Sequence, residues 1–267
     1  MPAQRFADRY DVVASLGWAG IARALRFPRR FVILTSGRSG SELLASLLDA
    51  HPAIVSEGEI LQRPRRYPTA YLRGHALRMM FRARRGSSMP RVHGWKLITN
   101  HVRWYPDVFP DPKAFVADLA ANGEIIHLRR RDLLSQAISL LSAEVTQFHV
   151  RTVDPRSSFE PIAFEPIAFE PERLLAQLYH YDEDDRWLTK ILGDIPHVDL
   201  TYEDHLVDES AQQATAAMLF RRLGIPPVDV DAGLFKLAPP DPHERIANPE
   251  EVARALAGTR YEDLLTV

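Results

Sequence analysis

The sequence predicts an α/β protein with three layers, in which a central parallel sheet lies between helices. Residues 31–34 form a short apolar run without polar alternation, as expected of a strand that is buried on both faces. A Gly/Ser-rich turn and an amphipathic helix at residues 42–48 follow it. The same order recurs in a strand at 124–128 and a helix at 133–143. Strands that alternate with helices are typical of a parallel sheet covered by helices.

The remaining elements extend this pattern along the chain. We expect a third strand at 197–202 and two further strands at 54–55 and 94–98. Apolar residues at helical spacing predict one helix at 173–192 and another at 215–223. Gly224 and Pro226 are the stop signals of the second helix.

We interpret the chain as a single domain, residues 1–267, because no linker-like segment divides it. Residues 1–29 are predicted to be a helical N-terminal extension, which either packs on the domain or lies on anionic lipid. Residues 155–172 are predicted to be a proline-rich loop that contains the repeat FEPIAFEPIAFEP. Proline prevents a continuous helix there and loops tolerate insertions, so the repeat is interpreted as a neutral insertion or a lid.

Composition excludes several classes of function. The chain has no cysteine, which excludes disulfide scaffolds, zinc–thiolate sites, iron–sulfur clusters and a cysteine nucleophile. A net charge of -2 excludes a generally cationic protein that coats nucleic acid, although residues 61–91 hold nine arginines and no acidic residue. The first residues lack the apolar run of a secretory signal. We therefore expect a cytoplasmic protein, with the inner face of the membrane as an alternative location.

Residues 37–41 follow the first strand and have the composition of an anion-binding loop. Gly37 and Gly40 can adopt backbone conformations closed to other residues, so they can direct several N–H groups to one point. Arg38 adds a fixed cation, Ser39 and Ser41 add hydroxyl donors, and the following helix adds its positive end. At the carboxyl end of a parallel strand this pattern predicts a phosphate site. The alternative is a Ser/Gly turn that only caps the helix.

The loop does not match the two common nucleotide-binding patterns. A nucleoside-triphosphate loop reads G-x-x-x-x-G-K-[ST], whereas here Gly40 is followed by Ser41 and Glu42, and two residues separate the glycines. The dinucleotide pattern G-x-G-x-x-G is absent as well. Because the lysine is missing and no clear magnesium carboxylate follows a later strand, the loop favours a phosphate that is bound without metal.

Two motifs, in the same order along the chain, resemble those of sulfotransferases that use 3′-phosphoadenosine-5′-phosphosulfate (PAPS). Residues 35–41, TSGRSGS, resemble the loop that binds the 5′-phosphosulfate group in that family. Residues 127–139, HLRRRDLLSQAIS, resemble the motif that binds the 3′-phosphate. Shorter matches occur at residues 58–60, 94–96, 202–204 and 245–261. The segment QAIS, residues 136–139, most resembles bacterial carbohydrate sulfotransferases of the trehalose, lipopolysaccharide and nodulation-factor kind.

The resemblance implies a P-loop-like fold, PAPS as the co-substrate, its desulfated form PAP as the product, and no metal. An arginine can hold a phosphate with two parallel hydrogen bonds, and among the three consecutive arginines we choose Arg130, with Arg131 as the alternative. The complete set of residues that we expect to bind the donor is Ser36, Gly37, Arg38, Ser39, Gly40, Ser41, Glu42, Arg130 and Ser139.

Transfer of a sulfuryl group to a sugar hydroxyl needs a base for the hydroxyl proton and a cation for the leaving phosphate. The resemblance implies Glu59 as the base, and Glu57 and His51 are the alternatives. Arg38 is expected to stabilise the charge that grows on the leaving phosphate. Lys96, in a predicted strand, is interpreted either as a contact to donor or acceptor or as a surface lysine.

The resemblance implies a carbohydrate or glycolipid acceptor as the partner, and we expect no nucleic acid. Peripheral membrane contact and a homodimer stay open. Two other functions compete with the sulfotransferase. One is a small-molecule or nucleotide kinase with a degenerate P-loop, and the other is a non-catalytic module that binds anions or a lipid surface.

Overall fold

A computed structural model describes residues 29–61, 71–72, 74–76, 90–146, 165–234 and 241–265. The predicted N-terminal extension lies outside the described residues, except for Arg29. Most of the arginine-rich stretch at 61–91 and the first part of the proline-rich loop also lie outside them.

Five parallel strands form one sheet in the spatial order β2-β3-β1-β4-β5. The strands are β1 (Arg29–Thr35), β2 (Ile54–Ser56), β3 (Val92–Ile98), β4 (Glu124–Arg129) and β5 (Val198–Thr201). All five predicted strands are present, so the prediction of a central parallel sheet is confirmed. In such a sheet every strand ends at the same edge, and the loops that follow the strands lie side by side there.

Helices connect and cover the strands. Within the described residues they are α1 (Ser41–Asp49), α2 (Thr99–Arg103), α3 (Pro112–Ala120), α4 (Leu133–Thr146), α5 (Pro171–Leu192), α6 (Tyr202–His205), α7 (Glu209–Arg222) and α8 (Pro249–Leu256). Two short 3-10 helices occupy His243–Arg245 and Glu262–Leu265. Among the helices in the described ranges, none has both the length and the apolar content needed to cross a bilayer.

The third strand is shorter than the sequence predicts. Tyr202 was expected within it, but β5 ends at Thr201 and Tyr202 begins α6. The ring of His205 accepts a hydrogen bond from the Thr201 backbone N–H at 3.1 Å, and the Leu206 N–H donates to the Tyr202 carbonyl at 2.9 Å. These local bonds turn the chain into a helix and bring Tyr202 to the edge where the strands end.

The core consists of apolar layers on both faces of the sheet. Phe31 and Ile33 of β1 pack with α1 and α7 on one face. Val32 and Leu34 pack on the other face with Trp95, α3 and the C-terminal half of α5. Every residue from Phe31 to Leu34 is at most 2% exposed, which is why this run shows no polar alternation. A third cluster joins α4, the N-terminal half of α5 and α8.

Strand register aligns the loops that follow the central strands. Thr35, the last residue of β1, lies opposite Ile98 of β3 and Leu128 of β4. The Thr35 hydroxyl donates to the Leu128 carbonyl at 2.7 Å and fixes the two strand ends to each other. The loops that follow β1 and β4 therefore start at the same height, in neighbouring positions.

Candidate anion-binding site

The loop between β1 and α1 has the backbone conformation of an anion cradle. Gly40 has φ of 92° and Arg38 has φ of 62°, both in the left-handed region. A Cβ at Gly40 would lie 2.5 Å from Cδ2 of Tyr202, so glycine is required by space as well as by conformation. Gly40 is the N-cap of α1, and no side-chain hydrogen bond caps this helix within the part of the chain that the structure describes. These N–H groups and the helix dipole are suited to an anion.

The serines of the loop have different roles. The Ser39 hydroxyl is fully buried and lies 2.5 Å from Oγ1 of Thr35, so it braces the base of the loop instead of facing a ligand. The carboxylate of Glu42 forms an ion pair with Lys96, which leaves its backbone N–H as the group that can serve an anion. The role of Ser39 as a hydroxyl donor to the ligand stays a prediction, and in this structure its hydroxyl lies against Thr35.

Helix α4 is hydrogen-bonded to the β1 loop through two side chains of the second motif. The Gln136 amide donates to Oγ of Ser36 at 2.9 Å and to the Gly37 carbonyl at 2.6 Å. Nε of Arg38 donates to Oγ of Ser139 at 3.0 Å. Two motifs that lie about 100 residues apart in sequence are thus in direct contact in the fold. Gln136 was not singled out from the sequence, although it belongs to the QAIS segment.

The side chains of Arg130 and Arg131 have different partners. Arg130 donates to the Arg38 carbonyl at 3.4 Å and lies over the Tyr202 ring, 4.7 Å from its centroid, with a side chain that is 11% exposed. Arg131 instead makes two 2.6 Å hydrogen bonds to Asp204, and its side chain is 61% exposed. Arg130 is therefore the arginine that contacts the loop, while Arg131 lies in a surface ion pair.

Positive charge accumulates around the loop. Arg245, which is 4% exposed, is a close electrostatic neighbour of Arg130. Burial and the repulsion from Arg130 lower the pKa of Arg245. Burial also lowers the pKa of Arg38, and the charge of Arg130 acts in the same direction. Cations that are buried close together are stabilised when an anion binds between them.

Glu59 lies on the other side of the loop, after β2. Its carboxylate is 3.2 Å from Nε2 of His101 and 3.8 Å from Nζ of Lys96. Lys96 also pairs with Glu42 at the start of α1, so one buried lysine connects Glu59 to the cradle. The Glu59 side chain is 34% exposed, which leaves it accessible to a bound molecule. Lys96 is not the surface lysine that was one of its two interpretations, because it is 6% exposed.

The Glu57 carboxylate is hydrogen-bonded to two buried histidines. Its Oε2 lies 2.8 Å from Nε2 of His75 and 2.5 Å from Nε2 of His93. Burial alone would raise the pKa of Glu57, but the two hydrogen bonds outweigh it and lower the pKa to about 2. A carboxylate held in this way is a poor proton acceptor, so the structure argues against Glu57 as the alternative base. The same three side chains offer metal-ligand atoms, but the distances are those of direct hydrogen bonds.

A second group of possible metal ligands lies at the outer edge of the sheet. Asp199 of β5 is 3.0 Å from Nδ1 of His127 and 3.1 Å from Nε2 of His197. Arg129 also approaches Asp199, at 3.9 Å. A guanidinium group at that distance disfavours a metal cation, and direct hydrogen bonds account for the group.

His51 has a structural role. Its Nδ1 accepts a hydrogen bond from the Ala53 N–H at 3.0 Å, so the proton is on Nε2, which lies 2.9 Å from the Pro226 carbonyl. The ring is 3% exposed and connects the end of α1 to the segment after α7. Both ring nitrogens have hydrogen-bond partners within the fold, which argues against His51 as the alternative base.

Tyr181 is a residue of the site that the sequence did not indicate. The helical spacing of α5 drew attention to its leucines, and nothing in the local sequence distinguishes this tyrosine. Its side chain is 3% exposed, and its hydroxyl lies 3.9 Å from where a Cβ on Gly37 would be. Tyr202 and Arg245 belong to segments that resemble the family, but the contact of Tyr202 with Arg130 and the electrostatic effect of Arg130 on Arg245 are visible only in the fold.

Comparisons with known proteins found similarity to solved structures. No protein-family model matches it, and no curated protein matches it either. The crystal structure of a sulfotransferase from Alicyclobacillus acidocaldarius is similar with 16% sequence identity and a TM-score of 0.46, over 89% of this chain and 95% of that chain. At this level of similarity the reaction has to be inferred from the residues of the site.

Proposed function

We propose that this protein is a sulfotransferase, which transfers a sulfuryl group from PAPS to a hydroxyl group of a carbohydrate or glycolipid. The observation that supports it most directly is the contact between the two motifs. Arg38 of the first motif is bonded to Ser139 of the second, and Arg130 of the second reaches the backbone of the first. Two anion-binding elements in contact can hold the two anionic ends of one adenylate.

The two ends of the donor match different parts of the site. The N–H groups at Gly40 and at the start of α1 suit the 5′-phosphosulfate, because the helix dipole and the N–H donors of the first turn favour negative charge there. Arg130 and Ser139 suit the 3′-phosphate, since a guanidinium group and a hydroxyl group can bind its oxygens together. Tyr202, whose ring lies beneath Arg130, holds that guanidinium group in place.

The reaction requires in-line displacement at sulfur. The bond from sulfur to the 5′-phosphate oxygen breaks as the bond from sulfur to the acceptor oxygen forms, and PAP leaves with the electron pair. Arg38 neutralises the charge that grows on the leaving phosphate, together with the backbone N–H groups of the loop. Glu59 accepts the proton of the acceptor hydroxyl. No step of this scheme needs a metal ion.

Glu59 is the best-placed of the three candidate bases. It is accessible, it lies on the strand-end edge next to the cradle, and Lys96 connects it to the first turn of α1. Glu57 and His51 are occupied by buried hydrogen bonds. The acceptor class is proposed from the QAIS resemblance, and a carbohydrate hydroxyl is the kind of weak nucleophile that needs a carboxylate base.

Thermal unfolding with different ligands tests the proposal. PAP at about 100 times its dissociation constant stabilises the folded state by about 2.7 kcal/mol, so the melting temperature should rise by about 5 to 10 °C without added metal. Arg38→Ala should abolish this effect. Glu59→Gln should retain it and lose PAP release from PAPS in the presence of carbohydrate acceptors.

The same measurement distinguishes the competing functions. NAD is the negative control. A larger shift with ATP and magnesium than with PAP would favour the kinase. No shift with any nucleotide, together with binding to anionic vesicles that survives Arg38→Ala, would favour the non-catalytic module.

A further inference from the structure

Tyr181 presents a buried hydroxyl group that has no hydrogen-bond partner among the described residues. The residue is 3% exposed and lies in the middle of α5. Buried hydroxyl groups are almost always hydrogen-bonded, because burial removes their hydrogen bonds to water and an unpaired hydroxyl destabilises the folded state. An unpartnered hydroxyl next to a ligand loop therefore points to a group that arrives with the ligand.

The hydroxyl faces the side of the loop that carries Arg38. It lies within van der Waals reach of a Cβ built on Gly37, and the charges of Arg38 and Arg130 act on it. Burial raises the pKa of Tyr181, and the two arginines offset only part of that rise. The group is therefore a neutral O–H over the whole physiological range and acts as a hydrogen-bond donor towards an anion.

The position of α5 is fixed by a buried ion pair one turn further along. Asp184, which is 1% exposed, accepts hydrogen bonds from Thr99 at 2.7 Å and from Arg103 at 2.6 Å. Both partners belong to α2, and so does His101, which contacts Glu59. These bonds tie the middle of α5, where Tyr181 lies, to the helix that follows β3.

We propose that Tyr181 is a catalytic residue whose hydroxyl donates a hydrogen bond to an oxygen of the sulfuryl group as it is transferred. This inference rests on the proposed sulfotransferase function. The bond from sulfur to the leaving phosphate breaks and the bond to the acceptor oxygen forms, while the Tyr181 proton stays on its own oxygen. The hydrogen bond stabilises charge on the sulfuryl oxygens, as an oxyanion donor does.

The order of the strands places the residues proposed to bind the nucleotide and the proposed base on opposite sides of β1. Arg130 follows β4 and Tyr202 follows β5, so the nucleotide side of the site lies beyond β4. Glu59 follows β2, and α2 follows β3, on the opposite side of the β1 loop. The sulfuryl group must lie between the leaving phosphate and the acceptor held by the base. Tyr181 packs in the apolar cluster of α4, Asp184 one turn later bonds to α2, and the Tyr181 hydroxyl lies near Gly37 between these two sides.

The experiment uses Tyr181→Phe, which removes only the hydroxyl oxygen, with Tyr179→Phe as the matched control. Tyr179 lies on the same helix, is 40% exposed and packs against Tyr261. PAP and PAPS are the ligands in calorimetric titrations. PAPS hydrolysis by water gives a rate that requires no identified acceptor.

Tyr181→Phe should leave the PAP dissociation constant within about twofold of the wild-type value, because PAP lacks the sulfuryl group. It should weaken PAPS binding by about 10-fold, as expected for loss of a hydrogen bond to a charged group. The rate of PAPS hydrolysis should fall by about 10- to 100-fold. The melting temperature without ligand should stay the same or rise, because the variant removes an unpaired polar atom from the interior.

Other outcomes overturn the inference in recognisable ways. Equal losses of PAP and PAPS affinity would make Tyr181 a nucleotide contact. Unchanged PAPS binding and hydrolysis would show that the hydroxyl touches neither ligand, and a lower melting temperature with no change in ligand binding would make it a structural residue. If wild-type protein binds neither PAP nor PAPS, the proposed function itself fails, independently of Tyr181.

Discussion

Substitution of Glu57 and of Glu59 by glutamine should separate a structural carboxylate from a catalytic one. The two hydrogen bonds from His75 and His93 lower the pKa of Glu57 from 4.5 to about 2 in the folded protein. Each tenfold change in an acid dissociation constant corresponds to about 1.4 kcal/mol, so the ionised Glu57 contributes about 3 kcal/mol to the free energy of unfolding. The Glu59 side chain is 34% exposed, compared with 19% for Glu57.

The pH dependence has a definite sign. A carboxylate whose pKa is lowered by folding contributes its full stability above pH 4.5 and loses it as the pH falls to about 2. Urea unfolding of the wild type and both variants at pH 7, 5 and 3 measures this. Glu57→Gln should be about 3 kcal/mol less stable than the wild type at pH 7, and the difference should shrink at pH 3. Glu59→Gln should lose less stability at pH 7 than Glu57→Gln, because the Glu59 side chain is 34% exposed and that of Glu57 is 19% exposed.

Activity provides the complementary measurement. Glu59→Gln should bind PAP and lose sulfuryl transfer, whereas Glu57→Gln should retain transfer at a temperature where it is folded. The reasoning is refuted if Glu57→Gln matches wild-type stability at pH 7, or if its deficit is the same at pH 7 and pH 3. A folded Glu57→Gln that binds PAP but lacks transfer would assign the base to Glu57.

Two further substitutions test the donor site. Arg130→Ala should weaken PAP binding by about 100-fold in calorimetric titration. Arg131→Ala breaks only a surface ion pair, so its dissociation constant for PAP should stay within about twofold of the wild-type value. Similar losses of affinity for both variants would contradict the different roles of the two arginines. Gly40→Ala should lower the free energy of unfolding by about 2 kcal/mol through its left-handed φ and its contact with the Tyr202 ring. Gly58→Ala is the matched control, because no atom of the described residues lies within 4 Å of its Cβ. Equal stability of the two variants would contradict the packing argument.

The central elements were predictable because their signals are local. The run at Phe31–Leu34 is apolar at every position since both faces of β1 are covered, and that pattern is visible without any knowledge of its neighbours. The glycine at position 40 is required by a positive φ, which is a property of one residue and its turn. Strand, loop and helix therefore followed from the order of residue types.

The choice among neighbouring candidates was not predictable. Arg130 and Arg131 are chemically identical and adjacent, so only the direction of the chain after β4 decides which one meets the loop. Glu57 and Glu59 differ in role because His75 and His93, from distant parts of the chain, enclose the first and leave the second accessible. Tyr181 depends on a helix more than 140 residues after the loop it contacts.

The amino-acid order by itself determined the alternation of strands and helices, the turn with its obligatory glycine, and the kind of ligand that such a turn attracts. These features depend on backbone conformation and on burial within one segment. The tertiary structure alone decided which arginine, which carboxylate and which tyrosine share a site. The physical reason is that a side chain acquires its exposure, its charge neighbours and its hydrogen-bond partners from segments that are far away in sequence.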